Sequence, residues 1–254
     1  NVAKNIVLIG DQNQLGQPIK GTHPNESGQS ILDYLLESRD TIPEDRGIFL
    51  NKTYRLNSKL NDFISSNFYE ERLICDEITD KRLIKFNKKS KIKDSGIHYI
   101  EMNHTNNTQT SVEEFEVIKN LLKDMIGLEF DDQGETRKLT IDDFLIISPY
   151  NTQVNLLISK LEESKFINPR VGTIDKFQGQ QAPITIISMT SSDSDALPRN
   201  KEFFFSRNRL NVAISRAQVA SIILFNPNLL DSSPKNIDQI KLMNNFFKIL
   251  NFKN

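Results

Sequence analysis

The sequence predicts an α/β protein built on a parallel β-sheet that carries helices on both faces. Short apolar, β-branched runs recur along the chain, and helical patterns lie between several of them. The runs are continuous rather than alternating, as in strands that are buried on both faces. With 254 residues, 37% of them hydrophobic, the chain is long enough to bury one or two such cores.

Seven runs are predicted strands, each bounded by polar residues, glycine or proline. In chain order they are NIVLIGD, GIFL, GIHYIEM, DFLIISPY, RVGTID, ITIISM and ASIILFN. Two polar stretches between them, NKKSKIKDSG and GLEFDDQGETRKL, are predicted surface loops.

Helices are predicted between these strands from apolar residues at helical spacing. In SVEEFEVIKNLLKDMI, Ser111 is the expected N-cap, and Glu114 three residues later completes a capping box. In NTQVNLLISKLEES, Asn151 is the expected N-cap. NIDQIKLMNNFFKIL follows the same helical pattern. RLNVAISRAQ resembles a helix with an arginine at each end, Arg209 and Arg216.

Composition narrows the class of protein. The formal charge of -1 gives no global basic field, so any nucleic-acid contact must be local. No run approaches the ~18 apolar residues of a membrane span, and the amino terminus lacks the features of a secretory signal. Because the sequence begins without Met, we expect it to be part of a longer protein. A single cysteine, Cys75, excludes an internal disulfide framework and favours a reducing, cytoplasmic compartment.

No metal site is expected from the sequence. His23, His98 and His104 lack the spacing of metal ligands and are interpreted as turn or surface residues. The acidic pairs at 131–132 and 142–143 are interpreted as solvated charge.

Polar clusters follow four of the predicted strands. They are GDQNQLGQP, KTYRLN, SPYNTQ and TIDKFQGQ, and a fifth cluster, RLNVAISRAQ, precedes ASIILF. Because ligands of open α/β sheets bind outside the carboxyl ends of the strands, we expect these clusters to converge there. Taken singly, each has a structural explanation: Gly10 and Asp11 could end a strand, Tyr54 could belong to the core, Arg216 could form a surface ion pair, and Gln178 could cap a helix.

In their chain order, GDQNQL, TYRLN, VGTIDKFQGQQ and RLNVAISRA resemble the third to sixth conserved motifs of superfamily 1 helicases. The resemblance is to the Upf/Dna-type branch, superfamily 1B, which holds RNA-surveillance and Okazaki-fragment-processing helicases. EFFFSRNRLNVAISRAQ further resembles bacterial and archaeal members fused to a RecB-like nuclease. The resemblance spans nearly the whole chain. It implies a RecA-like (P-loop NTPase) fold, with residues 1–52 as the end of a first RecA-like domain and 53–254 as the second.

The resemblance also implies roles for individual residues. Arg55 and Arg216 would be arginine fingers, and Gln14 would sense the γ-phosphate. Tyr54 would stack near the adenine, and Thr173 would contact a nucleic-acid phosphate. The implied nucleotide-binding set is Gly10, Asp11, Gln14, Tyr54, Arg55, Asp175, Gly179, Gln181 and Arg216. The implied nucleic-acid-binding set is Ser148, Pro149, Tyr150, Asn151, Thr173 and Gln178.

Two departures from the family pattern qualify these roles. The family reads QGxE where this chain has Gln181, so a hydrogen bond to the nucleotide ribose loses its charge assistance. The chain also lacks G-x-x-x-x-G-K-[ST], the phosphate-binding loop. ATP and Mg²⁺ are therefore expected as cofactors only together with a preceding domain, and this chain alone is expected to be inactive.

Two functional classes follow. The first is a motor, the carboxyl-terminal part of an ATP-dependent helicase that translocates on single-stranded nucleic acid. DNA is favoured over RNA, and 5′ to 3′ polarity is inferred from the branch alone. The second is a non-catalytic RecA-like module that binds nucleic acid or a partner. Retention of Arg55 and Arg216 together with Gln14 favours the motor. Residues 203–205, three consecutive phenylalanines, could stack bases or pack as an apolar segment, and 88–93 is interpreted as a basic loop.

Overall fold

Ten strands and five α-helices make up the part of the chain that the computed structural model describes, namely residues 4–16, 21, 23–37, 39–87, 90–193, 206–231, 237, 240, 243–244 and 246–247. In chain order they are α1 (Ile31–Leu36), β1 (Lys52–Thr53), α2 (Ser58–Phe68), β2 (Ile74–Cys75), β3 (Arg82–Ile84), β4 (Gly96–Glu101), α3 (Val112–Met125), β5 (Glu129–Asp132), β6 (Glu135–Lys138), β7 (Phe144–Ile147), α4 (Asn151–Glu163), β8 (Val171–Gly172), β9 (Ala182–Ser188), α5 (Arg207–Ile214) and β10 (Ala217–Phe225).

Five parallel strands form the central sheet in the order β4-β10-β9-β7-β8. Ile222 in β10 pairs with Ile186 of β9 on one side and with His98 of β4 on the other. The predicted α/β class with a parallel sheet is confirmed, and so are the five predicted strands from GIHYIEM onward.

Each face of this sheet is covered by a separate apolar cluster, because neighbouring residues of a strand point to opposite faces. Leu145 and Ile147 pack with residues of α2 and α5. Phe144 and Ile146 pack with residues of α3 and α4 on the other face. The sheet is therefore buried on both sides, which explains why its strands read as continuous apolar runs.

Two predicted strands are wrong. Residues 6–9 and 47–50, the cores of NIVLIGD and GIFL, belong to no strand. Most of their apolar side chains lie in solvent, with Val7 83% and Ile9 91% exposed, whereas Phe49 packs partly against the core. A strand forms only where a neighbouring segment accepts and donates its ladder hydrogen bonds, and no described segment pairs with either run.

The stretch GLEFDDQGETRKL is a β-hairpin rather than a loop. Strands β5 and β6 pair antiparallel across Gln133 and Gly134, and β3 adds to β5 as a third strand. Both turn residues have positive φ, 62° and 104°, as a two-residue type I′ turn requires. Phe130 is fully buried and anchors the hairpin to the core. Phe130 is the one apolar residue within β5 and β6, which left little hydrophobic pattern for a strand prediction.

The N-caps of α3 and α4 agree only in part with the N-caps predicted from the sequence. Ser111 caps α3 by accepting a hydrogen bond from the backbone N–H of Glu114, as predicted, although the Glu114 side chain turns into the interior. The prediction of Asn151 as the cap of α4 is wrong, because the helix begins at Asn151 and Tyr150 occupies the cap position, where its side chain makes no capping hydrogen bond.

The sequence patterns did not identify α1 or α2. The predicted carboxyl-terminal helix lies largely outside the described residues, and those described, 237, 240, 243–244 and 246–247, are helical. Within the described ranges, no helix has the length and apolar character needed to cross a bilayer.

Replacing Ile186 with Ala should destabilise the fold, because the side chain is fully buried at the centre of the sheet. The expected loss in the free energy of unfolding is about 2 to 5 kcal/mol. Ile167→Ala removes the same atoms at a site that is 76% exposed and should change stability by less than about 0.5 kcal/mol. Urea denaturation of both variants measures the difference, and equal losses would contradict the assigned core.

Candidate functional site

The predicted site residues lie at two opposite edges of the central sheet. Gln181 and Arg216 directly precede β9 and β10, whose first residues are paired, so they lie at the amino edge. Ser148 and Thr173 directly follow β7 and β8, at the carboxyl edge. The expectation that all polar clusters gather at the carboxyl ends is therefore wrong for the arginine-bearing clusters.

One segment connects the two edges. Gly172 pairs with Ile147, which also pairs with Ile187 near the end of β9, so residues 173–181 run back past five residues of β9 to its first residue. That span is about 16 Å at the rise of a β-strand. Gly179 has a φ of 80° within this segment, which favours glycine because other side chains are strained there. Thr173 and Gln181 thus stand at opposite ends of one short segment.

Arg55 and Arg216 are brought together at the amino edge. The Arg55 Nε donates to Gln181 Oε1 at 2.8 Å, and its Nη1 donates to the Ser215 carbonyl at 3.3 Å. Arg216 donates to the carbonyls of Val212 and Gln180, at 3.2 and 3.3 Å. The two guanidinium groups therefore bond to the same two segments, at the consecutive residues Gln180 and Gln181 and at Val212 and Ser215 near the end of α5.

Neither arginine has a carboxylate partner within the described part of the chain, and all of their hydrogen-bond acceptors are neutral. Arg216 is only 3% exposed. Burial, together with the charge of nearby Arg55, lowers the pKa of Arg216 to about 10. Burial also lowers the pKa of Arg55. The nearby Asp11 carboxylate acts to raise the pKa of Arg216 but does not outweigh burial and the charge of Arg55, so the positive charge of Arg216 is only partly compensated.

A loop formed by residues 10–16 faces these arginines and is fastened to α5. Asn208 donates to the carbonyls of Gln12 and Gln14, both at 2.9 Å, and Asn211 donates to the carbonyl of Asn13 at 2.8 Å. These bonds satisfy three successive positions of a segment that has no sheet partner.

Arg207 adds a second fastening at the start of α5. It makes a bidentate ion pair with Asp40, at 2.5 and 2.7 Å, and donates to the Asn67 carbonyl at 2.6 Å. Its guanidinium also lies 5.2 Å from the centre of the Phe68 ring. Because Asn13 donates to the carbonyls of Asp40 and Phe68, the loop and α2 share these contacts.

Inside the loop, Asp11 organises the polar side chains. Its carboxylate accepts from Gln14 Nε2 at 2.8 Å and from the Tyr69 hydroxyl at 2.7 Å. Burial raises the pKa of the Tyr69 hydroxyl, and the neighbouring Asp11 adds to that shift. Tyr69 stays protonated and donates to Asp11. The sequence patterns did not single out Tyr69.

A cleft of about 740 Å³ lies between the loop and the Arg55 segment. Gly10, Asp11 and Gln14 line it on one side, and Arg55 and Ser215 on the other. The structure therefore places Gln14 and Arg55, both implied to contact nucleotide, across a common cleft.

Three other residues with implied roles lie outside the lining of this cleft, namely Tyr54 and Asp175 of the nucleotide set and Gln178 of the nucleic-acid set. Tyr54 is 61% exposed, with the Lys52 ammonium 5.6 Å from the centre of its ring, so it is not a core residue. Asp175 is exposed and paired with Arg209 of α5 at 3.0 Å. Gln178 lines a smaller cavity together with Gly10 and Asn208. Gln178 is also the C-cap residue of the short 3-10 helix Ile174–Phe177, where its backbone N–H donates to the Asp175 carbonyl at 3.4 Å.

The implied nucleic-acid set divides by burial. The side chains of Ser148 and Tyr150 are buried, Pro149 is half-buried and Asn151 is exposed. Any contact from this stretch must therefore come mainly from the backbone and from Asn151. Thr173 is half-buried, and its hydroxyl does not cap the short 3-10 helix Ile174–Phe177 that follows it.

A buried polar network at the carboxyl edge escaped the sequence analysis. Glu114, fully buried, accepts from the Ser188 hydroxyl, from the Thr190 backbone N–H at 2.9 Å and lies 3.4 Å from His104 Nε2. The other ring nitrogen of His104 lies 2.7 Å from the Ser192 hydroxyl. The interpretation of His104 as a turn or surface residue is wrong, because it is 3% exposed.

This network holds the end of β9 in place. Thr190 has a φ of 70°, a left-handed conformation that β-branched residues rarely adopt. The hydrogen bond from its backbone to Glu114 offsets part of that cost. Residues 203–205, which were considered for base stacking, lie outside the described residues, as do 88 and 89 of the predicted basic loop.

The parallel sheet, the fastened loop and the paired arginines define the class of protein, a RecA-like domain of the P-loop NTPase type. The family model described as an AAA domain matches residues 27–228. The chain belongs to this family, and within it to the superfamily 1 helicases of the Upf/Dna type.

Named relatives agree with that membership. The DNA polymerase alpha-associated DNA helicase A of Schizosaccharomyces pombe is 27% identical over 222 residues, which cover 83% of this chain and 32% of the relative. The DNA replication ATP-dependent helicase/nuclease dna2 of the same organism is 30% identical over 254 residues, 91% of this chain and 17% of the relative. The human RNA helicase Mov10l1 is 33% identical over 100 residues, 38% of this chain and 8% of the relative. The chain spans about a third or less of the length of these relatives.

Glu114 predicts a pH dependence of stability. Burial raises its pKa in the folded protein, against the opposing hydrogen bonds from His104 and Ser188. The folded state therefore holds this proton to higher pH than the unfolded chain does. Its contribution to stability is full below the unfolded pKa and declines as pH rises through the folded pKa. Glu114→Gln should remove that decline, measured by urea unfolding between about pH 4 and pH 8.

Glu113→Gln is the matched control, one residue away. Burial acts to raise the Glu113 pKa, but hydrogen bonds from its own backbone and from Asn107 and Ser111 outweigh it and lower the pKa. Its contribution to stability is present above the unfolded pKa and is lost as pH falls, so this variant should change the pH profile with the opposite sign. An unchanged profile for Glu114→Gln would contradict the assigned shift.

Proposed function

We propose that this chain is the carboxyl-terminal part of an ATP-dependent helicase, a nucleic-acid-dependent NTPase that translocates on single strands. In this proposal residues 1–52 end a first RecA-like domain and 53–254 form the second. The chain supplies two arginine fingers and part of the nucleic-acid track. The phosphate-binding loop comes from another part of the full-length protein, so this chain alone should not turn over ATP.

The observation that carries the proposal is the pair Arg55 and Arg216. They lie beside each other at the amino edge of the sheet, where Arg55 and Ser215 line the cleft and Arg216 follows Ser215. Both bond to neutral acceptors, and neither makes an ion pair with a carboxylate in the described ranges. A phosphoryl group in transfer carries spread negative charge, and a guanidinium meets its oxygens bidentately. A passive binding module would have no use for two guanidinium groups held beside each other without a carboxylate in ion-pair contact among the described residues.

The position of Gln14 supports the same role. Its side chain lines the cleft opposite Arg55, and its orientation is set by Asp11, which Tyr69 holds in turn. We assign Gln14 to sensing the γ-phosphate. Tyr54, exposed beside the cleft, is assigned to the adenine, and Gln181 positions Arg55 rather than carrying charge to the ribose.

The track is assigned to the carboxyl edge. The amino end of α4, a 13-residue helix, is not capped by the side chain of Tyr150, and the Thr173 hydroxyl does not cap its own short helix. Backbone N–H groups at helix starts bind phosphate readily. Residues 173–181 then connect the track to the arginine edge, with Asp175 tied to α5 through Arg209.

ATP and Mg²⁺ are the proposed substrate and cofactor. The two arginines fit the phosphate oxygens, but the described residues contain no group of three or more His, Cys, Asp or Glu side chains that could hold a metal ion. The proposal therefore assigns no Mg²⁺ ligand to this chain.

Single-stranded DNA is the proposed track, with 5′ to 3′ polarity. Two of the named relatives are called DNA helicases and one is called an RNA helicase. Strand-stimulated ATPase of the full-length protein, measured with DNA and RNA strands of the same sequence, tests this choice.

Arg216→Ala in the full-length protein should lower kcat for strand-stimulated ATP hydrolysis by on the order of 10³, because the finger contacts form mainly in the transition state. KM for ATP should change little. Arg137→Ala is the control, since Arg137 has a carboxylate partner, Asp143, at 2.5 Å and lies on the hairpin. An unchanged kcat for Arg216→Ala would overturn the finger assignment and leave the passive module.

Thr173→Ala should weaken strand binding while it spares hydrolysis in the absence of strand. Loss of one hydrogen bond to a phosphate should raise the dissociation constant by about tenfold or less. Fluorescence anisotropy with labelled single strands gives the affinity. Thr136→Ala, on the exposed strand β6, is the control and should leave affinity unchanged. Equal affinity for Thr173→Ala and the unaltered protein would contradict the track.

A further inference from the structure

A single buried arginine connects the hairpin β5–β6 to the segment that carries Arg55. Arg82, at the start of β3, donates from Nη1 to the carbonyls of Tyr54 and Arg55, at 3.0 and 3.1 Å. Its Nε donates to Asp132 Oδ1 at 3.0 Å. One guanidinium therefore joins two consecutive backbone carbonyls of the bend at 54–56 to a carboxylate of the three-stranded sheet β3-β5-β6.

The environment of Arg82 restricts its guanidinium to these hydrogen bonds. Its side chain is only 10% exposed, whereas Asp132 is 43% exposed. Arg82 and Asp132 face each other directly in the antiparallel register of β3 and β5. The positive charge of Arg82 is thus paired with one carboxylate, that of Asp132. The three acceptor atoms together fix the orientation of the guanidinium plane.

Two of the three acceptors are the carbonyls of Tyr54 and Arg55, whose side chains are proposed to contact the nucleotide. Residues 54–56 form a bend with no sheet partner, so the side chains of Tyr54 and Arg55 have no ladder to set their direction. Arg55 itself is held at its tip by Gln181 and Ser215 and at its backbone by Arg82. Without the hydrogen bonds from Arg82, the position of the Arg55 guanidinium depends on Gln181 and Ser215 only.

We propose that Arg82, oriented by Asp132, is a positioning residue that sets the Tyr54–Arg55 segment for nucleotide turnover, and that the hairpin β5–β6 supports the nucleotide cleft through it. This inference rests on the proposed finger role of Arg55. Arg82 does not line the cleft itself, so it acts through the segment it holds.

The test is a double-mutant cycle between Arg82 and Arg55 in the full-length protein. Arg82→Ala should lower kcat for strand-stimulated ATP hydrolysis by about 10- to 100-fold, since small misplacements of catalytic groups cost that much. In an Arg55→Ala background, the same change should lower kcat by less than about twofold, because there is no finger left to position. A merely structural role of Arg82 would lower kcat by the same factor in both backgrounds, and that result would overturn the inference.

Conservative variants keep the test informative if Arg82→Ala folds poorly. Arg82→Lys retains the charge but cannot reach three acceptors from one plane, and Asp132→Asn retains the shape without the charge. Both should show a smaller loss of kcat that also vanishes with Arg55→Ala. Lys85→Ala breaks the Lys85–Glu129 ion pair, an exposed contact between the same strands, and should leave kcat unchanged.

The outcomes separate this inference from the proposed function. If Arg55→Ala leaves kcat unchanged, the finger role fails and the inference fails with it. If Arg55→Ala lowers kcat while Arg82→Ala, Arg82→Lys and Asp132→Asn do not, the finger role stands and the positioning role of Arg82 is overturned.

Discussion

The polar face of α5 is the constraint on which the candidate site depends. Its asparagines, Asn208 and Asn211, hold the carbonyls of the loop 10–16, and Arg209 holds Asp175 of the connecting segment. The helix then ends at Ser215, and Arg216 follows at the amino edge of the sheet. A helix of eight residues therefore fixes the loop, the connecting segment and one arginine relative to each other. A shift of α5 would move all three together.

That arrangement holds Arg55 and Arg216 in an electrostatically unfavourable position. A guanidinium that is nearly out of water and bonded only to carbonyls is an unfavourable group in an isolated fold, and a second guanidinium beside it adds repulsion. Packing of the surrounding core holds Arg216 there, since Val212 and Ile214 are fully buried. The stability of the sheet thus maintains a site whose electrostatics favour an anion, which is the pattern of a functional rather than a structural charge.

The fold also places two kinds of contact at opposite ends of the strands, so that the strand length separates them. The arginine edge lies at the start of β9 and β10, and the proposed track lies at the end of β7 and β8. Residues 173–181 are the shortest covalent route between them, and the connection from α5 through Arg209 runs beside it. A change at one edge can therefore reach the other through a short, well-connected path rather than through the whole core.

Local patterns were sufficient for much of the fold. The five central strands are continuous apolar runs, and α3 and α4 carry apolar residues at helical spacing. Each of these segments can therefore be predicted from its own residues. The runs at 6–9 and 47–50 have the same local pattern but no neighbour, and they are not strands. The hairpin shows the converse, since its polar strands are held by their turn, by Phe130 and by pairing with β3.

The sequence by itself determined the α/β class, most strands of the sheet and the residue types of the site, because hydrophobic period and motif order are local properties of the chain. Only the tertiary structure decided that Arg55 and Arg216 lie beside each other without a carboxylate ion-pair partner among the described residues, that His104 and Glu114 are buried together, and that Arg82 joins the hairpin to the Tyr54–Arg55 segment. Those facts join residues that lie between 10 and 160 positions apart in the chain. Such contacts depend on how the strands are ordered and registered, and no local pattern records that order.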